Sequence, residues 1–249
     1  MSALKVIQSV FYTGVALLSV FHTFYTVVDL MAFLSFPNYN LYLLRKEVNG
    51  ISVTWNLIID MCLLTAFIFQ HSLMTLSSIK DFISKIKLSV LQRSIYVISS
   101  SLCLKFLISN WHSTPAVTLW AFNTNRNVIW WSFLVPHIIA WTIIYVGIIC
   151  MDVNELLGLK QVYYYIKNLP DPLTFKSLEL KRLYSHVRHP SFIGFLILLW
   201  VTPIMSLDRL LLATILSSYM YLAWNTNQID YRYQETQYVT KFHELNRVK

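Results

Sequence analysis

The sequence is poor in glycine, cysteine and charged residues, and each shortage excludes a class of protein. Its 249 residues include only 5 glycines, and no GxGxxG or P-loop segment is present to cradle a dinucleotide or a triphosphate. Its 3 cysteines lie within apolar stretches and form no CxxC pair, which excludes a disulfide framework and a zinc site. Only 13% of the residues are charged, against roughly 25% in soluble domains, so the chain is not an ordinary soluble protein.

Long apolar segments are present instead. Hydrophobic residues make up 56% of the chain and come in blocks long enough to cross the ~30 Å hydrocarbon core of a bilayer as helices. The sequence therefore predicts an all-α fold, a polytopic membrane helix bundle that forms a single transmembrane domain over 1–249. The predicted transmembrane helices, about six in number, cover 4–36, 52–76, 88–109, 128–150, 190–205 and 207–224.

Basic residues outnumber acidic ones, and their positions indicate a topology. The formal net charge is +8, and most of the 20 Lys and Arg lie near the termini and in the loops 77–87 and 151–189. By the positive-inside rule, both termini, these loops and the tail 225–249 should face the cytosol or nucleoplasm. The charges are spread over several short loops rather than one soluble face, so no direct nucleic acid partner is expected.

The last two apolar segments are short and are joined only through Ser206. We expect 190–205 and 207–224 to form a tight helical hairpin that thins the bilayer or packs inside the bundle, where it could frame a pocket. In the preceding loop, apolar residues recur at helical spacing between Glu155 and Lys167. This pattern predicts an amphipathic helix at the interface, which would lie on the membrane or meet a nucleoplasmic partner.

Ionisable residues inside the predicted spans are costly and need partners. Asp60 and Lys105 lie at depths that allow an ion pair on the side opposite the basic loops, and we interpret such a pair as structural. His137 follows a helix-kinking proline, and we expect it to have a packing role. On the basic side, Gln70 and His71 are candidates to line a pocket open to the cytosol; the alternative for His71 is a hydrogen-bonded interfacial histidine.

The densest polar cluster, 181–190, comes immediately before the short hairpin. Arg188 and His189 lie at the positive end of the next helix, where Pro190 suits the first turn. A guanidinium beside an imidazole can bind a carboxylate or a phosphate. The alternative is a basic collar that faces anionic lipid headgroups.

A longer motif includes this cluster and reads Tyr184-x-x-Val187-Arg188-His189-Pro190-Ser191-Phe192-x-Gly194. It resembles the pattern Y-x-x-V-R-H-P-x-Y-x-G of the isoprenylcysteine carboxyl methyltransferases, membrane enzymes that use S-adenosylmethionine. The resemblance implies that Arg188 and His189 bind S-adenosylmethionine, with Gln70, His71 and Asp230 as weaker candidates for the same pocket. It does not identify a catalytic residue.

The chain departs from that signature at several positions. Arg182 stands where the methyltransferase family usually has glycine, and Phe192 stands where it has tyrosine. The acidic pair that follows the hairpin in the family is reduced to Asp230. Because the family uses that acidic group near its cofactor, its loss argues against retained methyl transfer.

A second resemblance extends over most of the chain and is carried by the stretches 70–74, 91–97, 152–165, 185–190 and 208–213. These stretches are similar to the nurim family, multi-pass proteins of the inner nuclear membrane and divergent relatives of the methyltransferases. The resemblance implies a structural or interaction role at the nuclear envelope, with membrane lipid and nuclear-envelope proteins as partners. The alternatives are a methyltransferase acting on a prenylated or lipid-like carboxylate, and a lipid-binding protein without the methyl donor.

Overall fold

The computed structural model describes residues 3–36, 50–175, 192–223 and 228–247. This part of the chain is mainly helical, with one two-stranded antiparallel ribbon. In chain order, its first elements are α1 (Ala3–Ser35), α2 (Gly50–Leu73), α3 (Ser77–Lys85), α4 (Gln92–Ser109), β1 (Thr118–Ala121) and α5 (Asn127–Cys150). The later elements are α6 (Val153–Leu156), α7 (Leu159–Ile166), α8 (Phe192–Trp200), β2 (Ile204–Ser206), α9 (Leu207–Ala223) and α10 (Gln228–Arg247), and short 3-10 turns lie at Ser89–Leu91 and Pro172–Phe175.

Four of the predicted segments form helices that are long and apolar enough to cross a membrane. Large apolar side chains on their outer surfaces remain exposed, as at Phe21 (73%) and Phe24 (71%) on α1, which is the arrangement expected where lipid covers a helix. The prediction of an all-α, multi-pass membrane protein is confirmed. The four helices cover Lys5–Ser35, Ile51–Leu73, Ser89–Ser109 and Asn127–Ile149.

The fifth and sixth segments differ from the predicted hairpin. The fifth ends as a helix at Trp200, and β2 then pairs with β1 before α9 begins at Leu207. A strand pairing thus separates the two helices where the sequence predicted continuous helix to residue 205. The 17 residues of α9 extend about 25 Å at 1.5 Å per residue, slightly less than a bilayer core.

The two ends of the bundle can be told apart by their contacts. At one end, the start of α1 contacts α7 and the segment between α3 and α4, and the Tyr12 hydroxyl donates to the Lys87 carbonyl at 3.2 Å. We call this the basic end, because the lysine-rich segments lie there. The other end, which holds the β ribbon, we call the ribbon end. Between them lies a shared apolar core that includes Leu34, Leu64, Leu107, Trp141 and Leu198.

Gly194 sets the close approach of α8 to α5. A Cβ atom at this position would lie 2.9 Å from the Ala140 carbonyl oxygen and 2.9 Å from Cγ1 of Ile144. Small residues allow backbones to approach in this way inside membranes. The glycine of the methyltransferase-like signature therefore has a packing function in this chain.

The predicted amphipathic helix is present as α6 and α7, separated at Gly158. Its apolar side packs against the protein: Val162 is 2% exposed, and the Tyr165 ring meets the Tyr12 ring edge-on at 5.2 Å. The Tyr165 hydroxyl also donates to Oε1 of Gln8 at 3.1 Å. The helix therefore covers the end of α1 with its apolar side.

Candidate functional site

The candidate site lies at the basic end, where α2 ends between α4 and α9. Nε2 of His71 is 3.0 Å from the Tyr96 hydroxyl, and the His71 ring meets the Tyr219 ring edge-on at 6.4 Å. Next along α2, the Ser72 hydroxyl lies 3.1 Å from the Tyr219 hydroxyl. These contacts connect α2 to α4 and to α9, the helix that follows the methyltransferase-like signature and the ribbon strand.

Gln70 extends this cluster and leaves one acceptor open. Its Nε2 donates to the Ser99 hydroxyl at 3.1 Å. Its Oε1 is buried and accepts no hydrogen bond from any described residue. A buried carbonyl oxygen without a donor is costly, so the position suits a ligand that carries an N–H group. S-Adenosylmethionine carries such groups, and Gln70 and His71 are the described residues that would hold it.

Arg93 brings positive charge to the same cluster. Its guanidinium lies 5.3 Å from the centre of the Tyr96 ring, a cation–π distance. Its Nε donates to the Leu156 carbonyl at 2.7 Å, which attaches α6 to the start of α4. The cluster thus combines hydroxyl, imidazole, amide and guanidinium groups, which together can bind a polar ligand with an anionic part.

A buried acidic group lies under α7 nearby. Nζ of Lys160 is 2.7 Å from Oδ2 of Asp152 and 3.5 Å from Oε2 of Glu155. The hydrogen bond to Asp152 raises the pKa of Lys160 above its ordinary value. The ammonium thus bridges two carboxylates, which holds α6 and α7 in one arrangement beside Arg93.

The predicted site residues are only partly brought together. Gln70 and His71 share the end of α2, as the sequence indicated. Arg188 and His189 lie outside the described residues. Asp230 belongs to α10, but its side chain is also outside the described part of the structure. Sequence reasoning missed Tyr96, Tyr219 and Ser99, since tyrosine and serine in a membrane span give no signal of their own.

A polar seam joins α1 to α4 along the bundle. The Ser19 hydroxyl donates to the Ser94 carbonyl at 3.1 Å, and Nδ1 of His22 is 2.9 Å from the Ser101 hydroxyl. Hydrogen bonds of this kind between membrane helices typically contribute about 0.6 to 2 kcal/mol each.

Nearer the ribbon end, the seam finishes in an ion pair between Lys105 and Asp29. The Lys105 ammonium also lies 4.5 Å from the centre of the Tyr25 ring. Lys105 thus pairs with Asp29 and not with Asp60, whose depth also allowed an ion pair. Both carboxylates lie at a depth along their helices that allows an ion pair with Lys105. Asp29, however, is on α1, the helix that packs most extensively against α4.

The ribbon end contains a second polar network, centred on Asp208. This carboxylate is fully buried and accepts hydrogen bonds through both oxygens. Oδ1 accepts from the Thr114 amide and hydroxyl, both at 2.9 Å, and from the Ser206 hydroxyl at 2.6 Å. Oδ2 accepts from Nε1 of Trp111 at 3.0 Å. The sequence signal for this role is Ser206 and Asp208 at a helix start, where such residues bind free amides.

Asp60 and His137 have structural partners at the same end. Oδ1 of Asp60 accepts from the backbone amide of His112 at 2.9 Å. Nε2 of His137 lies 2.7 Å from the Val201 carbonyl, so it carries the proton, and Nδ1 accepts from the Ser35 hydroxyl at 2.9 Å. The predicted packing role of His137 is confirmed. No group of three or more His, Cys, Asp or Glu among the described residues is arranged to hold a metal ion.

Sequence comparison relates the chain to curated proteins, although no family model and no solved structure matches it. The chain is 41% identical over 232 residues to a Nurim homolog of Drosophila pseudoobscura pseudoobscura, which covers 90% of this chain and 92% of the relative. It is 40% identical over 199 residues to Nurim of Mus musculus, which covers 79% of this chain and 74% of the relative. It is also 40% identical over 191 residues to Nurim of Homo sapiens, which covers 76% of this chain and 72% of the relative. Identity of this degree over most of both chains shows that the protein belongs to the nurim family.

Proposed function

We propose that the protein is a multi-pass component of the inner nuclear membrane with a structural or interaction role. The observation that carries this proposal is the 41% identity to a Nurim homolog over 90% of the chain. The nurim resemblance associates the family with the inner nuclear membrane. Both termini would then face the cytosol or nucleoplasm, as the distribution of basic residues predicts.

The use of polar groups in the spans supports a structural role. Lys105 pairs with Asp29, His22 with Ser101, and His137 with Ser35, and each pair joins two different helices. Ionisable groups in membranes either serve function or hold helices together. In these three pairs the groups hold helices together.

The location is tested with a fluorescent fusion of the full chain. We expect fluorescence concentrated at the nuclear rim, and we expect it to stay there when Arg188 and His189 are both changed to alanine, because retention depends on the bundle. A matched fusion of a resident endoplasmic reticulum protein gives the reticular pattern for comparison. Reticular fluorescence of the unmutated fusion would contradict the proposal.

A second candidate function is methyl transfer from S-adenosylmethionine to a prenylated or lipid-like carboxylate. The open Oε1 of Gln70 favours it, because this acceptor lies beside Ser99 and one residue from His71 in a cluster that reaches α9. When bound, S-adenosylmethionine would supply the methyl group. Gln70 would bind a ligand N–H group, and His71 would orient a polar group within hydrogen-bond reach.

Equilibrium binding of S-adenosylmethionine to the detergent-purified protein tests this candidate. If it is right, binding saturates, is lost in His189→Ala and weakens about tenfold in Gln70→Leu, the effect of one buried hydrogen bond. Gln8→Leu removes an amide of α1 whose partner is Tyr165 and which makes no contact with Gln70 or His71, so it is the matched control and should bind normally. A folded, monodisperse sample that fails to bind millimolar cofactor rejects methyl transfer and leaves the nuclear-envelope role intact.

A further inference from the structure

The short helix α3 at the basic end has an apolar edge that the protein does not cover. Ile83 is 6% exposed and attaches the helix to the bundle. Phe82 and Ile86, four residues apart and so on one side, are 60% and 49% exposed, and Leu76 is 52% exposed. The helix therefore packs mainly through Ile83 and the half-buried Ile79, and it leaves a large aromatic and two aliphatic side chains uncovered.

Lysines flank this apolar edge. Lys80 and Lys85 lie on α3, and Lys87 follows its last turn, with Asp81 as the single acidic residue between 77 and 87. None of the three lysines forms an ion pair with a described residue. An apolar stripe bordered by free ammonium groups is the pattern of a helix that lies in an anionic membrane interface.

The connections of α3 hold it at the membrane boundary. The candidate span before it ends at Leu73, and the next begins at Ser89, so few residues separate the helix from either. The Lys87 carbonyl accepts from the Tyr12 hydroxyl at 3.2 Å, which fixes the end of this segment against α1. The uncovered edge is thus held within three residues of a candidate span on either side.

The helix α7 differs from α3 in what covers its apolar side. Both helices are amphipathic and lie at the basic end, but the apolar side of α7 is buried against α1. The exposed edge of α3 has no such covering among the described residues. From these observations we propose that α3 is a membrane-surface anchor: Phe82 and Ile86 insert into the leaflet at the basic end, and Lys80, Lys85 and Lys87 bind anionic phospholipid headgroups. This proposal does not depend on the nuclear location or on cofactor binding.

The test places nitroxide labels on the full chain in lipid nanodiscs, with the native cysteines replaced. One label replaces Phe82; the control replaces Ser84, an exposed residue on the opposite side of α3. Collision rates with oxygen, which concentrates in lipid, and with a water-soluble nickel chelate report the depth of each label. The membranes are phosphatidylcholine alone, or phosphatidylcholine with phosphatidylserine at about 7 to 3.

In the anionic membrane, we expect the label at 82 to collide mainly with oxygen and the label at 84 mainly with nickel. Each lysine changed to glutamine should weaken attachment of α3 about fivefold, so Lys80→Gln, Lys85→Gln and Lys87→Gln together should expose position 82 to nickel. Equal nickel access at 82 and 84 overturns the proposal. Burial at 82 that is unaffected by phosphatidylserine and by the lysine changes also overturns it, since the headgroups would then have no role.

Discussion

Replacing Asp208 with alanine is expected to destabilise the protein by about 3 to 5 kcal/mol, among the largest effects of any single substitution. The carboxylate is fully buried and accepts four hydrogen bonds, from the Thr114 amide and hydroxyl, the Ser206 hydroxyl and the Trp111 indole. Alanine leaves all four donors without this acceptor, and the three donors of Thr114 and Ser206 belong to buried residues. Each such group costs roughly 1 to 3 kcal/mol, partly offset where water enters.

The effect is measured as the free energy of unfolding in a detergent titration, followed by tryptophan fluorescence. Asp208→Asn keeps the side-chain shape and one acceptor oxygen, so its free energy of unfolding should fall less than that of Asp208→Ala. Asp81→Ala removes an exposed carboxylate and serves as the control, with an expected change within about 0.5 kcal/mol. If Asp208→Ala is no less stable than Asp81→Ala, the network at the ribbon end does not hold the protein together.

The spans could be predicted from the sequence, but most partners of the polar groups within them could not. Length and hydropathy determine that a segment crosses the bilayer, and counting residues gives the depth of each polar group. Rotation about the helix axis and the choice of neighbour depend on side-chain packing between helices. Lys105 illustrates this limit: its depth suited both Asp60 and Asp29, and only the packing of α1 on α4 selects Asp29.

The amphipathic segment and the ribbon show the same limit. A helical apolar stripe predicts that something covers it, but lipid and protein are equally good covers, and in α7 the cover is α1. Strands β1 and β2 are too short to give an alternating pattern, and the residues between Val201 and Ser206 were assigned to an apolar helix. Asp208 was missed because its partners Trp111 and Thr114 belong to another part of the chain, and the sequence alone does not bring them to the start of α9.

The candidate site was partly predictable because polar residues near the end of an apolar segment are conspicuous. Gln70 and His71 were found in this way. Their partners, Tyr96 and Ser99 on α4 and Tyr219 on α9, become recognisable only once the order of the helices around α2 is known. Amphipathic residues such as tyrosine are common in membrane proteins, so composition alone does not distinguish a site residue from an interfacial one.

The second large effect is expected at Gly158, where alanine should cost about 2 to 5 kcal/mol. Its φ of +88° lies in the left-handed region, which costs an L-residue with a Cβ about 1 to 2 kcal/mol. The new methyl group would also lie 2.8 Å from the Ser94 backbone nitrogen, and overpacking of this kind costs typically 1 to 3 kcal/mol. To relieve the backbone strain and the close contact with Ser94, α7 must move away from the start of α4.

That movement has a local signature, because Gly158 lies between two attachments of the same segment. The Leu156 carbonyl accepts from Arg93, and Val162 and Tyr165 pack against α1 with its Tyr12. We therefore expect faster amide hydrogen exchange over 153–166 in Gly158→Ala than in the unmutated protein. Gly14→Ala is the matched control, since a Cβ at that position in α1 meets no atom within 4 Å and helical alanine is favoured over glycine by up to about 1 kcal/mol. Equal stability and equal exchange in the two variants would show that α6 and α7 are not held against α4. The hydrogen bond from Arg93 to the Leu156 carbonyl would then not keep the guanidinium beside Tyr96.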